Sequence, residues 1–287
     1  MILITGASGN VGREVLKQVV ETGAPVRAGY QSLDKASAPA GVEIAAVDYN
    51  RPETLEAALK GVDRVFLVGP PTAQLPELER KAVDVIARSG VRQLVKLSAM
   101  GGRGATFPRQ HAESEDYISS LGVPYTFLRP NGFMQNLINF SSATINRENT
   151  FYGSEGDGRI SYIDIRDIAA VATRVLTEDG YKGKTYTLTG PEALSNAEVA
   201  QILSDVLGRQ IRFVNLEPAQ LKQALLSAGL PEWNADALLD LLRFYREGKA
   251  ATVTQDVEQV LGRKPIALAQ FVRDHRDAFA STQATQA

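Results

Sequence analysis

Over the first 130 residues, short runs of β-branched and aliphatic side chains alternate with longer stretches in which apolar positions return every three to four residues. The runs read as buried strands and the stretches as helices laid on a sheet. Strands are predicted over Ile2–Thr5, Val26–Tyr30, Glu43–Val47, Arg64–Val68, Gln93–Ser98 and Tyr125–Arg129. The intervening helices cover Val11–Glu21, Pro52–Leu59, Leu78–Arg88 and Ala112–Ser120, with Gly23, Gly61, Gly90 and Gly122 placed where a helix ends in a left-handed turn. Repeated strand–helix–strand units close into a parallel sheet with helices on both faces. The predicted fold class is therefore α/β, a doubly wound parallel sheet of six strands.

Beyond residue 130 the texture changes. Asn131-Gly132-Phe133-Met134 leads into a helix expected to reach Asn146, followed by strand-like pieces near Phe151 and over Ile160–Ile163. A helix (Ile165–Leu176), a strand (Thr185–Leu188), a helix (Ala197–Leu207) and a strand (Ile211–Val214) come next, then mainly helices to His275. This half predicts a smaller mixed α/β lobe. The expected division is a first domain over 1–130, to which later segments are free to return, a smaller lobe over 131–280, and a mobile polar tail over 281–287. No linker of low complexity separates the lobes, so they should pack closely around a cleft, the usual place for a ligand.

Composition narrows the function classes. Lys and Arg number 31 against 33 Asp and Glu, a net charge of -2 that offers no basic field for nucleic acid. Cysteine is absent, which removes disulfides, thiol catalysis and thiolate metal sites. The only histidines, His111 and His275, lie far apart, and no metal site is expected. No apolar run approaches the roughly 20 residues that span a bilayer, so no membrane partner is expected. Met1-Ile2-Leu3-Ile4 lacks a basic leader, which makes the cytoplasm the expected compartment.

The strongest chemical signal is Thr5-Gly6-Ala7-Ser8-Gly9-Asn10-Val11-Gly12, between the first strand and the first helix. Glycines there permit a tight turn and let a pyrophosphate reach backbone N–H groups at the positive helix end. With strand, turn and helix in the required order, Gly6, Ala7, Ser8, Gly9, Asn10, Val11 and Gly12 read as the phosphate turn of a Rossmann domain. At the end of the second strand an acid would take the ribose hydroxyls of NAD, whereas a cation would take the 2′-phosphate of NADP. No acid stands at the strand end, which favours NADP over NAD with Gln31, Ser32 and Lys35 as contacts. Asp34 lies close by, and Lys35 reads equally as a solvated surface residue. Asp48 and Tyr49 close the third strand beside the expected adenine, although Asp48 also suits a turn before Pro52. Val68-Gly69-Pro70 follows the fourth strand past the adenosine, with a purely structural turn as the competing reading.

The G-x-x-G-x-x-G spacing resembles the short-chain dehydrogenase/reductase superfamily. Typical members carry Ser at the end of the fifth strand and Tyr-x-x-x-Lys on the next helix, where Lys lowers the Tyr pKa for proton exchange. Ser98 matches the Ser, but His111-Ala112-Glu113-Ser114-Glu115 puts His111 near the Tyr position and Glu115 near the Lys position. With this departure the chain resembles the NmrA-like atypical short-chain dehydrogenases, and among them the NAD(P)H-dependent quinone reductases and triphenylmethane reductases. The resemblance runs through Thr5–Gly12, Asp48-Tyr49-Asn50-Arg51-Pro52-Glu53, His111-x-x-x-Glu115, Pro124-Tyr125-Thr126-Phe127-Leu128-Arg129, Gly180-Tyr181-Lys182-Gly183-Lys184-Thr185-Tyr186 and Ala228-Gly229-Leu230-Pro231. Those reductases commonly carry Arg where Gln31 stands.

The resemblance implies a reductase passing hydride from NAD(P)H to a quinone or a similar planar acceptor, with a homodimer allowed. His111 and Ser98 are then the catalytic candidates, while Ser98, Glu115 and Pro130 extend the cofactor contacts. A reduced quinone is stabilised by aromaticity and takes its proton from water, so holding the acceptor against the nicotinamide suffices. Met100, Asn131, Phe133, Met134 and Asn136 are the substrate candidates. The bland readings stay open: Phe133 and Met134 suit a core, His111 a cap or ribose contact, Glu115 a helix surface. Asp164-Ile165-Arg166-Asp167 reads as a helix cap. The competing function is a non-catalytic NAD(P) sensor, which the missing Tyr-Lys pair fits equally. A sugar-nucleotide epimerase would need that Tyr.

Overall fold

The computed structural model describes residues 1–34 and 36–280; Lys35 and the tail lie outside the described residues. Strands β1 (Ile2–Ile4), β2 (Val26–Tyr30), β3 (Glu43–Ala46), β4 (Arg64–Leu67), β5 (Gln93–Leu97), β6 (Tyr125–Pro130) and β8 (Lys184–Leu188) form one parallel sheet in the order β3-β2-β1-β4-β5-β6-β8. Every residue of β4 and β5 is buried, as expected of central strands covered on both faces. The sheet has one strand more than the six expected. The segment predicted at 185–188 for the second half returns to pair with β6, in register Thr126↔Lys184 to Pro130↔Leu188.

Two apolar layers clamp this sheet. On one face α1 (Asn10–Glu21) and α6 (Ile165–Thr177) bury Val11, Val15, Val19, Ile168, Ala172 and Val175 against β1, β2 and β5. On the other, α2 (Pro52–Ala58), α3 (Leu75–Ser89) and α4 (Thr106–Ser120) bury Leu55, Val83, Ile86 and Ile118 against Leu3, Val65 and Leu94. Helix α10 (Asp256–Leu261) joins the first of these layers, burying Val257 and Val260 beside α6. The remaining chain builds the second lobe from α5 (Ser142–Glu148), α7 (Asn196–Leu207), α8 (Pro218–Ser227), α9 (Glu232–Arg246) and α11 (Leu268–Asp274). Strands β7 (Thr150–Gly153) and β9 (Arg212–Asn215) form its own two-stranded parallel sheet.

Three local expectations need correction. Helix α4 begins at Thr106, not Ala112, because Asp240 of α9 accepts from the Thr106 backbone N–H at 2.7 Å and from its hydroxyl at 2.8 Å. That cap comes from 134 residues away in sequence, and Pro108 is tolerated within the first turn. Residues 160–163 make only isolated bridges, Ile160 to Leu194 and Phe133 to Ile163. Ile160 and Ile163 serve two different cores, so the segment threads between them without a continuous ladder. Finally, the helix expected to reach Asn146 opens with a π-helical turn, Leu137–Ser141, before α5.

Candidate active site

The turn after β1 has the geometry of an anion cradle. Gly6 has φ +60°, and a Cβ on Gly12 would collide with the Gly6 carbonyl oxygen, so the first turn of α1 packs against the loop as only glycine permits. The N-cap of α1 is Gly9, with no capping side chain and no acid in the first turn. The orphan N–H groups therefore point outward with the positive helix end, beside exposed Ser8, Gly9 and Asn10. Ala7 and Val11 are buried and anchor the turn to the α1 core. This cradle fits a dinucleotide pyrophosphate.

The other cofactor candidates divide by what they touch. Gln31 and Ser32 are exposed at the end of β2, where Ser32 Oγ pairs with Asp34 at 3.2 Å. Arg27 points away, to Glu43 at 2.6 Å and to the Lys60 carbonyl. Lys35 lies outside the described residues. Asp48 closes a turn, accepting from Asn50 N–H at 2.9 Å while its own N–H donates to Thr54. The Tyr49 hydroxyl lies 2.8 Å from both Thr5 Oγ1 and the Val68 carbonyl, and burial pushes its pKa up, so it braces β1 against β4. Val68, Gly69 and Pro70 are half-buried at the end of β4. Pro130 is buried as the last residue of β6.

At the ends of β5 and β6 the structure gathers two polar clusters. Ser98 Oγ donates to Glu115, which Arg129 holds through Nε at 3.0 and 3.1 Å and through Nη2. Ser98 and Glu115 are both buried, so Glu115 is an anchored carboxylate and not a surface one. The second cluster includes two residues that the sequence reading missed. Lys96 and Glu79 are each 0% exposed and form an ion pair at 2.8 Å, and Lys96 Nζ also stands 3.1 Å from His111 Nδ1. A lysine between the apolar Val95 and Leu97 of a central strand was the available signal. Burial and the neighbouring Lys96 charge hold the His111 pKa well below the usual imidazole value.

The substrate candidates separate. Met100 is half-buried on the rim and Asn136 is exposed. Phe133 is partly buried against the first core, whereas Met134, 1% exposed, belongs to the core of the second lobe. Asn131 is also buried, its amide donating to Ser161 Oγ at 2.8 Å and to the Ala250 carbonyl at 2.9 Å as a strut between segments. Helix α9 leans over the rim instead. Asn234 donates to the Pro71 carbonyl, and Trp233 meets Phe107 edge-on with ring centres 5.7 Å apart.

The description of the NmrA-like family matches residues 1–275. The chain belongs to that family. It is 37% identical over 284 residues to an NAD(P)H azoreductase of Xenophilus azovorans, a match spanning 97% of this chain and 99% of the relative. Among solved structures, the NADPH-dependent quinone oxidoreductase of Escherichia coli complexed with NADPH superposes with TM-score 0.87 at 29% identity. That match covers 96% of this chain and 99% of the other. The triphenylmethane reductase of Citrobacter sp. complexed with NADP(H) gives TM-score 0.85 at 26% identity, again over 96% and 99%. In this NmrA-like chain the rim beside β5 and β6 carries His111 against the Lys96 ammonium and Glu115 held by Arg129 and Ser98.

Proposed function

We propose that this chain is an NAD(P)H-dependent reductase that delivers hydride to a quinone or a similar planar, conjugated acceptor, with NADPH as the preferred donor. The observation that carries the reading is the placement of His111 beside the strand ends, with Nδ1 3.1 Å from the Lys96 ammonium, where that charge and burial disfavour its protonation and so its use as a general acid. Such a site suits acceptors whose reduced form is already stabilised by conjugation and takes its final proton from water. The bound dinucleotide supplies the hydride. Gly6 to Gly12 would hold its pyrophosphate, and Gln31 and Ser32, with no acid at the strand end, would meet the 2′-phosphate. The edge of α9, with Trp233 against Phe107, would form the apolar wall on which a flat acceptor lies, with Met100 and Phe133 as further candidates. Full-length similarity to reductases of azo compounds and quinones supports the acceptor class. We place the activity in the cytoplasm, where reduced dinucleotide is available.

The test is loss of nicotinamide absorbance with NADPH and, separately, NADH, across a panel of quinones, azo dyes and triarylmethane dyes. Acceptor-dependent oxidation, faster with NADPH and abolished by Gly9→Asp, is the expected result. Tight dinucleotide binding without turnover for any acceptor would instead make this chain a dinucleotide sensor.

A further inference from the structure

Lys96 occupies the central strand of a sheet covered on both faces, where an ammonium group is costly unless every donor is matched. Its three donors are matched: Glu79 at 2.8 Å, the Leu97 carbonyl at 3.1 Å and His111 Nδ1 at 3.1 Å. Room for Glu79 is made by Gly69, where a Cβ would come within 2.7 Å of Glu79 Oε1. An apolar pair of the same volume would fill this space at less cost. The polar cluster must therefore be judged by what it does to its third member.

A lysine ammonium has no acceptor site, so the ring nitrogen facing it must accept. The His111 proton then resides on Nε2. Protonating Nδ1 as well would set two cations face to face, and burial opposes it further. Nε2 has no partner among the described residues, and His111 retains partial exposure at the rim. The charges that α4 and its neighbours bury or use as caps are committed elsewhere, and Arg109 and Glu113 of α4 are exposed. Glu115, one turn along, is held by Ser98 and Arg129 of β6; Glu79 of α3 binds Lys96; Asp240 of α9 caps Thr106.

We infer that Lys96, braced by Glu79, is a positioning residue that locks His111 in the Nε2–H tautomer, presenting a fixed hydrogen-bond donor to the heteroatom that becomes anionic on hydride transfer. The role in turnover rests on the proposed reductase activity; the tautomer lock does not. The acceptor gains hydride from the dinucleotide and then a proton from water, while His111 keeps its own proton and only donates a hydrogen bond. A donor of this kind, aimed before the charge develops, needs no reorganisation during the reaction.

With only two histidines in the chain, nitrogen-15 NMR of the imidazoles assigns His111 after a single control substitution at His275. The cofactor-free protein should show His111 as Nε2–H, without titration from pH 5.5 to 8. Because Lys96→Met alone strands Glu79 and can prevent folding, the informative variant is Lys96→Met with Glu79→Leu. In it, His111 should mix tautomers and titrate with a midpoint raised toward 6.5. Its kcat should fall about tenfold with KM little changed, and its pH profile should gain a limb that the unaltered protein lacks. An Nδ1–H tautomer in the unaltered protein, or a double variant with unchanged tautomer and pH profile, would overturn the inference. A locked tautomer in a protein that reduces no acceptor would support the lock and overturn only the reductase reading beneath it.

Discussion

Arg129 and Glu115 show how one side chain can be held by its neighbours' needs. Glu115 is buried and its carboxylate relies on Arg129 and Ser98, whereas Arg129 keeps 39% of its side-chain surface. Arg129→Met should therefore destabilise the protein by about 2 kcal/mol, below the range for a fully enclosed pair because of that exposure. Ser98→Ala should cost less, about 1 kcal/mol. Urea unfolding compares the two, and equal or negligible losses would mean that Glu115 finds water instead. At this scale the sequence was only half legible. His111, Ser98 and Glu115 stood out through the resemblance to the short-chain dehydrogenase pattern, but nothing in a linear reading joins Glu79, Lys96 and His111, whose contacts cross from α3 to β5 to α4. Met134 and Asn131 look like rim residues by position, and only packing shows that each is turned inward.

Among the elements, α1 departs from the best-capped helices in a way that serves binding. Its N-cap is Gly9 at φ −77° and ψ 166°, a conformation that serine, asparagine or aspartate adopts readily. Gly9→Asp should leave the stability of the cofactor-free protein within about 0.5 kcal/mol, because a self-made cap offsets the tight approach to the Gly6 carbonyl. Dinucleotide binding should be lost, since the aspartate occupies the helix end with the wrong charge. Calorimetric titration together with a melting curve checks both halves, and a variant that binds normally would show that the pyrophosphate lies elsewhere. This turn was fully legible, as was α6, whose Asp164 accepts from Arg166 N–H at 2.8 Å as its sequence suggests. The start of α4 was not, because its cap is supplied by Asp240.

For the whole molecule, the half-buried His111 imidazole ties stability to pH. An unfolded histidine titrates near 6.5, whereas folded His111 is held well below that value by burial and by Lys96. Below 6.5 the unfolded chain takes up a proton that the folded protein refuses. The stability present above 6.5 is therefore lost as pH falls toward the folded value, by up to about 1.4 kcal/mol per pH unit. His111→Gln keeps an acceptor oxygen for Lys96 and removes this dependence. Between pH 7.5 and 5.5 the unaltered protein should lose roughly 1 kcal/mol more than the variant in denaturant titrations, and parallel losses would mean that His111 is already protonated in the fold.

The return of the chain to its first sheet also dictates an order of events at the ribosome. The face of β1, β2 and β5 beside α1 is sealed by Ile165, Ile168, Val171, Ala172 and Val175 of α6 and by Leu188 of β8. When Pro130 completes β6, those residues do not yet exist. Another 58 residues, 131 to 188, must be synthesised first, which takes roughly 3–12 s at 5–20 residues per second. For that interval the nascent sheet exposes an apolar face and an unpaired edge, so it is during synthesis, and not in the finished fold, that this protein most needs a chaperone.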